Sequence, residues 1–285
     1  MNPVAQEGAV PLRFTPAVAA PPSDRSRSPR LAPAWVLITF GIAALVLATS
    51  LLGLLASWPY ASETDNWRMQ AHGQDLGNLL AVAALLAGLV PATRGSLRGL
   101  LVWAGSLLYL AYAFVIYALT VHFGPLFLPY VAVLGLSVYA LVFGLRWWDG
   151  GVRVARRPLV LGSAVIASLA VLFVLLWLGS IVPALLSGRV PSELAESGLV
   201  ANPVHVLDLA LVLPGMLITA RLAPRGSGPA RALLGPWLVF SALMAASVTI
   251  TLVLGAAIVP AAVLGLVTAV SGTAAVLVIR GTTPA

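Results

Sequence analysis

Neither cysteine nor lysine occurs in this chain of 285 residues, and there are only nine acidic residues and three histidines. Without cysteine there are no disulfides, no thiolate metal sites, no thiol redox chemistry and no cysteine nucleophile. The redox compartment therefore cannot be read from the sequence. Without lysine there is no Schiff base for retinal or pyridoxal phosphate and no P-loop amine. All sixteen basic residues are arginines, a bias that a GC-rich genome alone can produce. Motifs of soluble enzymes are missing as well: there is no GxSxG elbow, no paired acidic motif for magnesium and diphosphate, no nucleotide-binding loop, no HExxH and no CxxCH. A role driven by ATP would need a partner subunit.

Charge is the scarcest property of all. Charged residues make up 9% and hydrophobic residues 60% of the chain, with a mean hydropathy of +1.00. That leaves too little polar surface to hold a soluble domain of this length in water. The composition predicts an all-α, polytopic transmembrane helical bundle whose first partner is the lipid bilayer. The net charge of +7 is dispersed over short connections instead of clustered on one basic face, which argues against nucleic acid as a partner.

The first 33 residues are rich in proline and carry Arg13, Arg25, Arg27 and Arg30. They read as a disordered tail. The apolar stretch that follows comes late and runs long, which fits a retained anchor better than a cleaved leader. With about 20 apolar residues needed per crossing, spans are expected near 34–57, 75–91, 99–120, 127–146, 159–184, 203–222, 232–254 and 257–279. This gives eight spans, in a transmembrane domain over 34–280 whose halves are 34–146 and 159–280, followed by a short tail at 281–285. The uncharged stretch 232–279 would rise about 70 Å as a single helix, roughly twice the bilayer core. It must fold back, near Gly255 to Pro260.

Fourteen of the sixteen arginines fall in the tail, the even-numbered gaps and the C-terminal end, while the odd gaps hold only Arg68 and Arg189. The positive-inside rule then places both termini in the cytoplasm of a bacterial cell, with the chain in the inner membrane. An even number of spans agrees.

The two halves also share a pattern. Asp75-Leu76 precedes Pro91, Arg94-Gly95-Ser96, Arg98 and Trp103, while Asp208-Leu209 precedes Pro224, Arg225-Gly226-Ser227, Arg231 and Trp237. Four intervening spans give both copies one orientation, so a 4+4 parallel repeat about an axis along the membrane normal is expected. Short, basic inner loops also resemble one another for purely physical reasons.

Polar residues at membrane depth are costly and point to function by default. They gather towards the outer side. Asp75 and Asn78 repeat at three-residue spacing, as do Asn202, His205 and Asp208, so each set shares a helical face. If the halves repeat, Asp75 and Asp208 approach each other across the pseudo-axis, with His122 and His205 near them. Such a group would bind a proton, a cation or a polar substrate. The plainer account is capping: Asn202 before Pro203 is a common helix start, and acids in a first turn or a histidine in a last turn complement the helix dipole. A zinc or manganese site drawing on His205, Asp208, His122 and Asp75 is a weaker reading, and no cofactor is implied. Tyr109, Tyr112 and Tyr117 fit packing residues bonded to nearby carbonyls better than a polar path. Pro183, Pro214 and Pro260 can kink their spans and free carbonyls.

Three functions follow. The chain is a small secondary transporter or ion-coupled permease using the outer polar cluster; or a non-catalytic subunit or scaffold that docks a protein at Arg153, Arg156 and Arg157; or a membrane enzyme with His and Asp as acid and base.

Overall fold

The structure is a computed structural model that describes residues 31–144 and 151–284. The proline-rich tail before Leu31 lies outside those residues, as does Arg146. Ten α-helices account for most of the rest: α1 (Pro33–Leu55), α2 (Asp65–Thr93), α3 (Leu97–Thr120), α4 (Phe127–Gly144), α5 (Arg156–Leu186), α6 (Ser192–Ser197), α7 (Pro203–Leu207), α8 (Leu213–Leu222), α9 (Gly228–Leu254) and α10 (Ile258–Arg280). Eight stretches are long and apolar enough to cross a bilayer, with α7 and α8 forming one of them together. The protein is a multi-pass membrane protein. Large side chains such as Leu172, Leu175 and Leu176 on α5 are exposed, as expected where the surrounding solvent is lipid.

The second span begins earlier than its hydropathy suggests. Thr64 accepts the amide N–H of Trp67 and starts α2 at Asp65, ten residues before the apolar run. The segment between them carries Asn66, Arg68, Gln70, His72 and Gln74, which lower the hydropathy but do not stop a helix. Asp75 is therefore not a first-turn acid. It stands about 15 Å along the helix axis from the start.

The sixth span is helical throughout but not regular. Between α7 and α8 the turn Asp208–Val212 is π-helical, with the N–H of Leu213 donating to the carbonyl of Asp208. Pro214 follows directly, and its missing N–H and bulky ring disturb the regular ladder one turn back. A widened turn there absorbs the mismatch. Pro260 instead falls in the first turn of α10, where proline is tolerated, and Pro183 lies near the end of α5.

The reversal expected near Gly255 is present. Gly255 to Ala257 separate α9 from α10, and Ala256 takes φ 56°, a left-handed conformation that is costly for any residue with a Cβ. A short antiparallel ladder not expected from the sequence joins β1 (Val152–Val154) to β2 (Thr282–Pro284).

The most deeply buried helix is α3, whose Trp103, Tyr109 and Phe114 are inaccessible. Across the halves, α2 meets α9 along a seam of small residues. A Cβ on Gly73 would collide with Thr251, and one on Gly77 with Ser247 and the Tyr109 hydroxyl. Glycines one turn apart facing Ser247 and Thr251 let two backbones approach, which is how helices gain contact when lipid removes the hydrophobic drive.

The two Arg-Gly-Ser turns are built alike. Gly95 and Gly226 both have positive φ. Ser96 and Ser227 each donate a backbone N–H five residues back, to Pro91 and Leu222, and each caps the next helix with its hydroxyl. The likeness is local: α2 is α-helical throughout, whereas the span leading to the second turn contains a π-helical turn at Asp208.

Candidate functional site

Three groups of buried polar side chains lie toward the end of the bundle that carries the first, third and fifth connections. Asp75, on α2, is 2% exposed. Its carboxylate accepts from the Tyr60 hydroxyl at 2.8 Å and from the Tyr117 hydroxyl at 2.9 Å. Tyr117 also reaches the Ala71 carbonyl at 3.1 Å, and the Tyr130 ring sits 5.1 Å from it. Gly53 on α1 makes room, since a Cβ there would strike the Asp75 carboxylate and the Tyr60 hydroxyl. Tyr60 lies in the first connection; burial, and secondarily the Asp75 carboxylate, push its phenol well above the ordinary range. Tyr60 therefore stays protonated and donating.

Next to this group is a ladder of amides and hydroxyls. The Gln74 amide donates to the Tyr109 hydroxyl at 2.7 Å and to Asn78 at 3.2 Å, Asn78 donates to Ser50 at 3.3 Å, and Ser247 on α9 donates to Gln74 at 3.1 Å. It ties α1, α2, α3 and α9 together by neutral bonds. Asn78 is fully buried.

The third group centres on Asp208, 8% exposed, at the first residue of the π-helical turn. Its two oxygens accept from the Tyr112 hydroxyl on α3 at 3.0 Å and from the Trp177 indole on α5 at 2.8 Å. His205, one turn earlier, has its ring 4.5 Å from that of Trp177. Among the described residues no basic group forms an ion pair with Asp75 or Asp208; the ion pairs are Arg68–Asp65 and His122–Glu63.

Asp208 also lines a cavity of about 550 Å³ bounded by α2, α3, α5, the sixth span, α9 and α10. Most of its wall is apolar or aromatic, with Asn66, Gln70, Gln74, Tyr112, Tyr117, Ser241 and Thr251 as scattered polar groups. That size and character suit a single small organic molecule. Asp75 is not on the wall.

The residues expected at the site thus divide. His205 and Asp208 are together, and Asp75 and Asn78 occupy adjoining networks on α2. The two aspartates do not share a cluster: each has its own pair of aromatic donors, supplied in part by different faces of α3. His122 faces neither. Its backbone N–H and Nδ1 both meet the buried Glu63 carboxylate, at 2.8 and 2.9 Å, so it clasps the third connection to the first. Asn202 is a cap, its side-chain oxygen accepting from Val204 and His205 amides. The four-residue metal set drawn from His205, Asp208, His122 and Asp75 is not brought together, and among the described residues no three His, Asp or Glu side chains converge.

Tyr112 and Tyr117 bind carboxylates, where carbonyl partners were expected; only the bond from Tyr117 to Ala71 has that form. Tyr60 is buried beside Asp75. Trp177 was not anticipated, although an indole N–H inside a long apolar run must find an acceptor. Comparison with family models, curated proteins and solved structures finds no match for the chain.

Proposed function

We propose that this membrane protein is a small secondary transporter, an ion-coupled permease, whose binding chamber is the cavity beside Asp208. One observation carries the reading: a buried carboxylate, held only by neutral donors, forms part of the wall of a ligand-sized cavity within the spans. A carboxylate at that depth without a counter-cation is costly unless a proton or a substrate periodically satisfies it. Two further features support it. The cavity lies where helices of both halves meet, and its acid opens a π-helical turn within a span that stays helical from Pro203 to Leu222. π-Turns are frequent at functional sites.

In this reading Asp208, with His205 behind it, binds substrate or proton, and Asp75 with Asn78 is a second proton-holding station. Tyr112, Tyr117 and Gln74 lie between them. The arginine distribution orients the cavity end outward, with both termini in the cytoplasm and the chain in the inner membrane. The test is uptake into proteoliposomes under an imposed proton gradient, with a panel of labelled amino acids, sugars, monocarboxylates and organic cations. At least one class should accumulate in a protonophore-sensitive way, and Asp208→Asn should abolish it. Equal behaviour of wild type and Asp208→Asn, or no accumulation of any class, would overturn the proposal.

A second reading rests on Arg153, Arg156 and Arg157, which are exposed at the opposite end of the bundle and form no ion pair among the described residues. They offer a docking surface for an acidic protein partner, making the chain a subunit of a larger complex. Recovery of one stoichiometric partner in mild detergent, lost when all three become alanine, would favour this reading.

A further inference from the structure

Among the described residues, the cavity wall holds one carboxylate, Asp208, and neither arginine nor histidine. An anion entering it would meet negative charge with nothing to balance it, and a neutral molecule would leave the acid dependent on a proton for compensation. Aromatic rings flank the acid on both sides. Tyr112, one of its donors, stands edge to face with Phe240 at 5.5 Å, and Trp177, the other, lies 5.7 Å from Phe173. All four rings line the cavity, so a cation held at the carboxylate would lie close to aromatic π-systems, which attract cations. The remaining wall is soft. Of the four methionines in the chain, Met69, Met216 and Met244 all line this space, and unbranched thioethers adapt to ligands of differing outline.

From this wall chemistry we infer that the substrate class is a hydrophobic organic cation, seated with its charge against Asp208 between the Tyr112–Phe240 and Phe173–Trp177 pairs and its apolar body against the methionines. The inference rests on the permease reading for its direction of use, but the binding step stands apart from transport. In a proton-coupled cycle, one proton on the Asp208 carboxylate and one cation would occupy the same oxygens in turn, so that release of one permits binding of the other.

The test uses the full-length protein in detergent and two probes of the same shape and opposite charge, tetraphenylphosphonium and tetraphenylborate, measured separately by equilibrium binding. Wild type should bind the phosphonium saturably, one per chain, and bind the borate at least about tenfold more weakly. Asp208→Asn should weaken phosphonium binding by about tenfold or more, while Asp208→Glu keeps the charge and stays within a few-fold of wild type. Met244→Trp, which fills the chamber and leaves the acid in place, should also block binding and guards against loss through misfolding of the Asp208 variant. Equal binding of both probes, indifference to Asp208→Asn, or no phosphonium binding by wild type would overturn the assignment. If the phosphonium binds as described but does not accumulate in proteoliposomes, the permease reading fails and the site stands. If another class accumulates through Asp208 without phosphonium binding, the substrate assignment fails and the permease stands.

Discussion

Adding a single methyl group to Gly77 tests the packing on which the cavity depends. In Gly77→Ala the new Cβ would lie 2.5 Å from Ser247 Cβ and 2.6 Å from the Tyr109 hydroxyl, so α2 and α9 must part or the side chains must turn away. Overpacking of this kind costs about 1–3 kcal/mol. Turning Ser247 and Tyr109 aside also loosens their bonds to Gln74, worth roughly 0.6 kcal/mol each inside a membrane protein. The expected loss is about 2–4 kcal/mol, measured by unfolding the purified protein with increasing mole fraction of dodecyl sulfate. Gly135 on α4 supplies the control, because a Cβ there meets nothing within 4 Å, and Gly135→Ala should equal or exceed wild type through its helix propensity. A second substitution probes the cause. Ser247→Gly removes the nearest obstructing atoms, so in the Gly77→Ala background it should recover at least about 1 kcal/mol relative to the sum of the single changes. If Gly77→Ala is as stable as Gly135→Ala, or Ser247→Gly gives no recovery, the close approach of α2 and α9 is wrong.

Three other outcomes are expected. Glu63→Ala removes acceptors for both the backbone N–H and the ring of His122 and should cost about 1–3 kcal/mol, whereas His122→Ala, whose ring is mostly exposed and screened, should cost less than about 1 kcal/mol; equal losses in thermal unfolding would contradict the geometry. Ala256→Gly relieves a left-handed conformation and should raise stability by roughly 1 kcal/mol, and a destabilised variant would speak against the turn. Tyr60 has a folded-state pKa raised above its ordinary 10.0, so its contribution is complete below pH 10.0 and declines as the pH rises beyond it. Tyr60→Phe should therefore be less stable near neutrality, through loss of the bond to Asp75, and should show a shallower alkaline decline; an unchanged slope would mean the phenol is not buried.

Hydropathy located the eight crossings because each requires an uninterrupted apolar length, and the reversal at Gly255 to Ala257 followed from the impossible length of the alternative. It misplaced the start of α2 because hydropathy measures contact with lipid, and the stretch Asn66 to Gln74 turns its polar side chains to the first connection, to neighbouring helices and to the cavity. That Asp208 is a costly group within a span, on one face with His205, was legible from spacing and hydropathy. Its partners were not, since Tyr112 and Trp177 are 96 and 31 residues away and reach it only through tertiary packing. The same holds for Asp75, whose pairing with Asp208 was inferred from symmetry. Two turns with the same Arg-Gly-Ser chemistry look alike wherever they occur, but the side chains above them answer to different neighbours. His122 went to Glu63 because a buried acid in a connecting loop claims the nearest donors.

The β1–β2 ladder brings the beginning of α5 and the end of α10 side by side, reinforced by the Ala155 N–H donating to the Gly281 carbonyl at 3.0 Å. The last six helices are thereby stitched closed at their base like a drawstring purse, independently of the peptide link to α4. Two polypeptides divided between residues 144 and 151 and produced in the same cell should reconstitute the intact assembly through the α2–α9 seam, with the closing stitch contained wholly within the second piece.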